Sequence, residues 1–331
     1  MFGFNKSVVG GVHSLCDGSR SAIVFSSAHT GVVYDFEPRS QLLLQGHCNA
    51  ITCVVASQDK KWIVTADQGN DSIMVVWDAA TGAPVRTFFD LPGSGVSAIG
   101  MSPDSLYIAT VSTAAAHGVQ TVAVWAWADE SLDTPIVAAE VASGDVQRCI
   151  CFGEGGSEMM THGDRHTHFW RWKSGKLEGY RAPMRKRDFP TSGLLTSGVF
   201  LPHTTRAAST TTNGDAMLWD MPSDLATVEG GMRSVVKAVR LTTASITLAT
   251  TTNNFLVLGS EDGAVRFYDF ELRLHAWFED LAAGPVSSIS FASPTHPRSQ
   301  TAKSSQRPPT KVTLDVPDFV VGTRDGYVVG V

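Results

Sequence analysis

The chain has 331 residues, of which 43% are hydrophobic and 18% charged, and its formal net charge is −6 at pH 7. A chain of this length and composition buries roughly 75% of its surface on folding, so disorder throughout is excluded. The acidic balance argues against a nucleic-acid-binding protein, which normally needs a basic face. No stretch reaches the ~18 uninterrupted apolar residues of a membrane span, so we expect neither nucleic acid nor a membrane as partner.

The N-terminal part of the chain predicts four short β-strands, at residues 8–15, 22–27, 31–36 and 42–44. These runs are rich in β-branched and aromatic residues, and turn residues separate them. Residues 46–78 repeat the arrangement more clearly, with runs at 51–56, 62–66 and 73–77. Both segments are therefore predicted to form small antiparallel sheets.

Residues 46–78 open with Gly-His at His47 and close about 30 residues later with Trp-Asp, at Trp77 and Asp78. This pattern resembles the WD repeat, which builds one four-stranded blade of a β-propeller about every 40–45 residues. The resemblance implies that His47 and Asp71, six residues before Trp77, form a polar pair that holds the turns of the blade together.

The same pattern recurs along the chain. An aromatic residue ends a β-rich run at intervals of 43, 48, 45, 49 and 49 residues, at Tyr34, Trp77, Trp125, Trp170, Trp219 and Tyr268. In several repeats an aspartate follows the aromatic residue (Asp35, Asp78, Asp220, Asp269), or an acidic or amide residue stands six positions before it (Asp71, Asp164, Asn213, Asp262). Such side chains can cap hairpin turns, so we predict that these are structural repeat positions.

The repeat interval predicts an all-β fold, a seven-bladed WD-repeat β-propeller that occupies residues 1–331 as one domain. The third blade is expected at 96–141, the fourth from about 146, the fifth at 197–228 and the sixth at 235–278. The seventh begins at 286–291 and resumes at 319–322 and 327–331. Counting four strands for each blade, its outermost strand is missing. Either residues 2–6 cover that sheet edge, or the chain is the front part of something longer.

Residues 293–317 interrupt the seventh blade and are rich in Ser, Thr, Pro, Gln, Lys and Arg. A segment of this composition buries little apolar surface, so a flexible insertion is predicted.

Two clusters could carry chemistry. His162, His166 and His168 lie close to Asp164, which would suit a metal ion, although this segment is also a predicted hairpin turn. Cys149 and Cys151 share one face of a strand and are expected to pack as reduced core thiols. The odd number of five cysteines agrees with reduced thiols and a cytosolic compartment. Nucleophile-elbow, phosphate-loop and paired-carboxylate patterns are absent, so neither an enzyme nor a cofactor nor a metal is predicted.

Three strings go beyond the general repeat pattern: residues 26–36, 44–90 and 257–278. They resemble the cilia- and flagella-associated protein 251 family, over residues 20–331. The resemblance implies a non-catalytic scaffold in the axoneme of a motile cilium. Its partners would be radial-spoke proteins, dynein-regulating proteins and subunits of the calmodulin- and spoke-associated complex. Calcium binding is not implied, because the chain has no D-x-D-x-D-G loop.

Other propeller functions stay open at this point. A cytosolic scaffold, such as a ubiquitin-ligase receptor or a trafficking protein, would share every repeat feature, and so would an echinoderm microtubule-associated-like propeller. A propeller hydrolase would need acidic or histidine side chains that converge at the mouth of the central channel.

Overall fold

The structure, a computed structural model, describes residues 4–115, 118–141, 144–173, 175–184, 193–221, 231–293 and 316–331. All of its regular elements are β-strands, and they form seven separate antiparallel sheets. Six sheets have four strands and the last has three. The predicted seven-bladed β-propeller is therefore confirmed.

Each blade is a meander in which consecutive strands pair. Blade 1 comprises β1 (Val12–Ser14), β2 (Ala22–Ser27), β3 (Thr30–Asp35) and β4 (Ser40–Leu44). Blade 2 comprises β5 (Ile51–Ala56), β6 (Trp62–Asp67), β7 (Met74–Asp78) and β8 (Pro84–Phe88). Blade 3 comprises β9 (Val96–Met101), β10 (Ile108–Ser112), β11 (Gln120–Trp125) and β12 (Val137–Val141). Blade 4 comprises β13 (Cys149–Phe152), β14 (Glu158–His162), β15 (Thr167–Lys173) and β16 (Lys176–Arg181).

The remaining blades follow the same order. Blade 5 comprises β17 (Leu195–Phe200), β18 (Ala207–Thr211), β19 (Asp215–Asp220) and β20 (Ser234–Arg240). Blade 6 comprises β21 (Ile246–Thr252), β22 (Phe255–Ser260), β23 (Val265–Tyr268) and β24 (Leu274–Phe278). Blade 7 comprises β25 (Val286–Phe291), β26 (Phe319–Thr323) and β27 (Val328–Gly330).

Blade faces pack against each other because successive side chains of a strand point to opposite faces of its sheet. In β7, Val75 and Trp77 pack against blade 1, whereas Met74 and Val76 pack against blade 3. Each of the seven blade-to-blade interfaces holds one cluster of buried apolar residues of this kind. Both faces of a blade are therefore apolar, which explains the nearly continuous hydrophobic runs in the sequence.

The first strands of the blades contact each other in a ring around the central axis, and β25 contacts β1 to close it. Two serines of β25 make the closure. Ser288 Oγ accepts a hydrogen bond from Val12 N (3.1 Å), and Ser290 Oγ accepts one from Ser14 N (2.9 Å). Gly322 leaves room for the approach, because a Cβ there would lie 2.9 Å from Val12 Cγ2. These contacts join residues 276 positions apart.

One predicted blade boundary is wrong. The sixth blade was predicted to begin at residue 235, but residues 234–240 form β20 and pair with β19 of blade 5, with Trp219 opposite Val235. A β-branched run has the same composition whether it ends one blade or begins the next, so the pattern could not decide its sheet. The predicted end of the fifth blade, at residue 228, lies outside the described residues.

The last sheet ends at β27, which has no fourth strand beside it in the described parts of the chain. Asn5 instead donates from its backbone to Ser26 O of blade 1 (2.7 Å), and Phe4 packs on Phe25. The predicted insertion at 293–317 lies mostly outside the described residues, and its flexibility stays a prediction.

Candidate functional site

A buried chain of hydrogen bonds crosses blade 2. Trp77 Nε1 donates to Thr65 Oγ1 (2.8 Å), which is also 2.7 Å from His47 Nε2. His47 Nδ1 is 2.8 Å from Asp67 Oδ2, and Asp67 Oδ1 accepts the backbone N–H of Ile73 (3.0 Å). Burial lowers the pKa of His47, although Asp67 opposes the shift. A neutral ring with its proton on Nδ1 satisfies every donor and acceptor in this chain.

The predicted pairing of His47 with Asp71 is wrong, because Asp67 occupies that position. Asp67 ends β6 and is fully buried, whereas Asp71 is exposed in the next turn with a left-handed backbone (φ 54°). Spacing from Trp77 alone could not separate the two carboxylates. The discriminating signal is that Asp67 continues the apolar run 62–66, so its side chain is carried into the blade.

Hydroxyl residues that accept a tryptophan indole recur in three other blades, and the sequence reasoning missed them. Trp125, Trp170 and Trp219 donate over 2.9–3.0 Å to Thr110, Thr161 and Ser209. In blade 4 the series of hydrogen bonds extends one step further, because Thr161 Oγ1 also donates to Gln147 Oε1 (2.9 Å). The hydroxyl precedes the tryptophan by 9 to 15 residues, since the hairpins differ in length, and this variation hides the pattern.

The remaining predicted Asp and Asn positions lie at strand ends or in turns near the surface, whereas Tyr268 is buried in β23. Asp78 Oδ1 accepts the backbone N–H of Thr81 (2.7 Å), and the Thr81 hydrogen bonds lower the pKa of Asp78. Asp220 pairs with Arg206 (2.9 Å), while Asp269 accepts the backbone N–H of Arg273 (2.8 Å). Three further residues were predicted from their place six positions before an aromatic residue. Asp164 contacts Arg148, and Asn213 donates its backbone N–H to Thr211 Oγ1. Asp262 accepts the backbone N–H of Ala264 and pairs with Arg266. None of the turns brings these side chains together into one site.

The candidate site is the mouth of the central channel, on the face where the first and second strands of each blade connect. Its cavity measures about 690 Å³, and all seven blades contribute to it. We call this surface the channel mouth, and its lining includes His13, Gln58, Lys60, Pro103, Phe152, Glu154, Phe200, His203, Thr251 and Phe291.

The polar groups of the channel mouth bridge different blades. His13 Nε2 contacts Val54 O (2.9 Å), and burial lowers the pKa of His13 to about 4, so its ring is neutral. Lys60 Nζ donates to Phe291 O of blade 7 (2.8 Å), and burial lowers the pKa of Lys60 to about 8. At the exposed rim, His203 pairs with Glu154 (2.8 Å). The lining therefore combines half-buried phenylalanines with a few fixed polar groups, which suits recognition of a protein surface or a short segment.

The histidines at 162, 166 and 168 do not converge. His162 Nδ1 contacts Gly163 O, His166 lies 3.4 Å from Asp145, and His168 stacks on Trp170. Among the residues that the structure describes, no group of three or more His, Cys, Asp and Glu is placed to hold a metal ion. The same residues form no helix that is long and apolar enough to cross a membrane.

Comparison with known proteins gives the family. The protein-family model described as the CFAP251 N-terminal domain matches residues 1–331. The chain is 40% identical to cilia- and flagella-associated protein 251 of Chlamydomonas reinhardtii, with 100% of this chain and 42% of that protein aligned. It is 37% identical to the Tetrahymena thermophila protein of the same name (88% and 30% aligned) and 31% identical to the Pongo abelii one (99% and 29%). The chain thus spans less than half the length of these relatives. On this evidence the chain belongs to the cilia- and flagella-associated protein 251 family and corresponds to its N-terminal domain.

Proposed function

We propose that this propeller is a non-catalytic WD-repeat scaffold of the axoneme of a motile cilium, where it docks radial-spoke and dynein-regulating proteins. The observation that carries the proposal is the match of the whole chain to a cilia- and flagella-associated family. Subunits of the calmodulin- and spoke-associated complex are the partners we propose first. The partners would be other proteins, with neither nucleic acid nor a membrane among them.

The fold supplies a physical reason for a scaffold role. Seven blades hold their connecting turns in fixed positions, so the propeller loses little conformational entropy when a partner binds these turns. Several modest contacts made at once can exceed each single affinity by roughly 10²–10⁴, provided that the geometry allows simultaneous binding. Retention in a large assembly can follow from such contacts without any one tight site.

We assign the channel mouth to docking because its lining has the composition of a recognition surface. Phe152, Phe200 and Phe291 are half-buried, so each ring keeps part of its apolar area available. Aromatic side chains of this kind dominate the energetics of protein interfaces. The surrounding polar groups would fix the orientation of a partner segment.

The test is fractionation of a tagged protein in a flagellated cell that lacks its own copy. Nonionic detergent removes membrane and soluble matrix, and the tag is then quantified in the extract and in the axoneme. We expect the tag to stay with the axoneme. A protein found wholly in the extract, or outside the flagellum, would contradict the proposal.

Two variants locate the docking surface within the same experiment. Gln58→Trp places a bulky ring in the channel mouth, at an exposed residue. Val85→Trp places the same ring on the outer strand β8, where Val85 is 49% exposed. We expect the first variant to release part of the protein into the extract and the second to behave as the wild type. Equal retention of both would exclude the channel mouth while leaving the axonemal role intact.

A further inference from the structure

Cys149 and His162 face each other at the start of blade 4. Cys149 is the first residue of β13, His162 is the last residue of β14, and the strand register places them directly opposite. Side chains in such positions have Cβ atoms ~4.5–5.5 Å apart on one face of the sheet. His162 is only 2% exposed, whereas Cys149 is half-buried. The imidazole is therefore sheltered from solvent, whereas the residue opposite it keeps part of its surface exposed.

The hydrogen bonding of His162 leaves one ring nitrogen available to accept a proton. Its Nδ1 contacts the carbonyl oxygen of Gly163 over 3.1 Å, which requires a proton on Nδ1. Its Nε2 is buried and has no hydrogen-bond partner among the described residues. A buried imidazole nitrogen without a partner is costly, and Cys149, which stands directly opposite on the neighbouring strand, carries a proton that it could accept.

The electrostatics agree with proton transfer between the pair. Burial opposes ionisation of the Cys149 thiol, but the neighbouring charge of His162 lowers its pKa. Burial likewise opposes the imidazolium form of His162, but Cys149, the Gly163 carbonyl and Asp145 raise its pKa. A thiolate beside an imidazolium is the arrangement that activates nucleophilic cysteines.

Blade 2 provides an internal comparison at the same position. Thr65 and Thr161 both accept a tryptophan indole, and the residue after each faces a cysteine: Ala66 faces Cys53, and His162 faces Cys149. Without an imidazole opposite it, Cys53 is buried and its pKa is raised to about 12. The two sites differ in the facing side chain, so the histidine accounts for the reversed direction.

We propose that Cys149 is a nucleophilic modification site, activated by His162, which reacts with hydroperoxides. The Cys149 sulfur attacks one oxygen of hydrogen peroxide, an S–O bond forms and the O–O bond breaks. The sulfur is oxidised to the sulfenic acid and the peroxide is reduced. The leaving hydroxide takes the proton of the His162 imidazolium and departs as water.

Few other ionisable groups surround the thiol. Cys151 follows it on the same strand, and its own pKa is raised well above the usual range by burial and by the charge of Cys149. Asp145 reaches His162 from the incoming loop and lies 3.4 Å from His166. From β17 of blade 5, the backbone of Gly198 contributes a hydrogen bond to the thiol. Titration of Cys149 should therefore follow His162.

The test is the pH dependence of alkylation by iodoacetamide, measured at each cysteine by mass spectrometry. The pH of half-maximal rate reports thiolate formation regardless of how exposed the sulfur is. We expect the alkylation rate of Cys149 to reach half its maximum at a lower pH than that of Cys48, which is exposed and serves as the reference. Cys53 should stay unreactive. Brief exposure to hydrogen peroxide should allow dimedone to label Cys149 as the sulfenic acid.

His162→Ala, which copies the Ala66 environment of Cys53, separates activation from mere exposure. We expect this variant to slow alkylation of Cys149 at pH 7 about tenfold and to abolish the dimedone label, with the buried Cys53 still unreactive as a check on folding. The proposal is overturned if Cys149 titrates with Cys48, if it does not react, or if His162→Ala leaves its rate unchanged. Should His162→Ala not fold, the wild-type pH profile and label decide alone.

Discussion

Asp67 and Asp71 stand four residues apart in blade 2, yet only Asp67 reaches the buried hydrogen bonds of His47. Replacing Asp67 by alanine leaves His47 Nδ1 and the Ile73 N–H without their acceptor. We expect the free energy of unfolding to fall by about 1–3 kcal/mol, the usual cost of an unsatisfied buried group. Asp71→Asn, which keeps a residue that tolerates the left-handed turn, should change it by less than about 0.5 kcal/mol. Urea unfolding measures both, and an equal loss in the two variants would refute the assignment.

His13 makes stability depend on pH. Its pKa in the folded state is about 4, against 6.5 for an ordinary histidine, so below pH 6.5 the unfolded chain binds a proton that the folded chain does not. This contribution to stability is complete above pH 6.5 and is lost as the pH falls towards 4. At pH 5 the loss is on the order of 2 kcal/mol.

The His13 contribution is isolated by comparing wild type with His13→Gln in urea unfolding at pH 7.5 and pH 5.0. The other histidines are present in both proteins, so their contributions cancel. We expect the variant to lose about 2 kcal/mol less than the wild type between the two pH values. An identical pH dependence would show that His13 is protonated in the fold.

The sequence showed which residues occupy the repeat positions of a blade, but it did not show which residues they hydrogen-bond to. Trp77 and His47 were identified as blade positions, but their true acceptors, Thr65 and Asp67, were not. Hydrogen-bond partners depend on strand register, and a shift of one residue moves a side chain to the other face of the sheet. The Cys149–His162 pair was missed for the same reason, since 13 positions separate its members and only the register brings them together.

At the scale of the strand, the outer strand of a blade fixes it to the next blade. Phe88 at the end of β8 is 2% exposed and packs on Trp125 of blade 3, whereas the following Phe89 is 63% exposed. We expect Phe88→Ala to lower the free energy of unfolding by about 3–5 kcal/mol, as for other buried phenylalanines. Phe89→Ala is the matched control and should have little effect. Thermal unfolding of the two variants distinguishes them, and similar losses would show that the blade faces are assigned the wrong way round.

The segment between β25 and β26 should be dispensable for folding. The strands on either side are paired, with Phe291 opposite Phe319, and Ala292 N donates to Asp318 O over 2.8 Å. Because the ends are held together, deleting residues 294–315 and joining 293 to 316 through a short turn should not disturb the sheet. Loop closure changes by only ~0.6 kcal/mol for each doubling of length. Loss of folded protein, followed by circular dichroism, would show that the segment packs on the propeller.

Strand positions were predictable because both blade faces are buried and the strands are short β-branched runs. The assignment of strands to blades was less predictable, as β20 shows. The composition of a strand does not reveal which neighbouring strand it pairs with. The regular length of the repeats, by contrast, was enough to predict seven blades without any knowledge of which strands pair.

For the whole molecule, ring closure was outside the reach of sequence patterns. It depends on Ser288 and Ser290 bonding to residues 276 positions earlier, and two serines in a strand carry no distinguishing signal. Likewise, the channel mouth gathers side chains from all seven blades, and no blade's contribution forms a motif by itself. The function proposed for this surface therefore rests on the complete ring.

The most direct test of the scaffold role is averaged electron cryotomography of axonemes from a flagellated cell in which the gene is deleted. We expect viable cells with impaired motility and with density missing at the base of the radial spokes, and re-expression of the protein should restore both. Intact spoke bases in a deletion strain that swims normally would contradict the scaffold role.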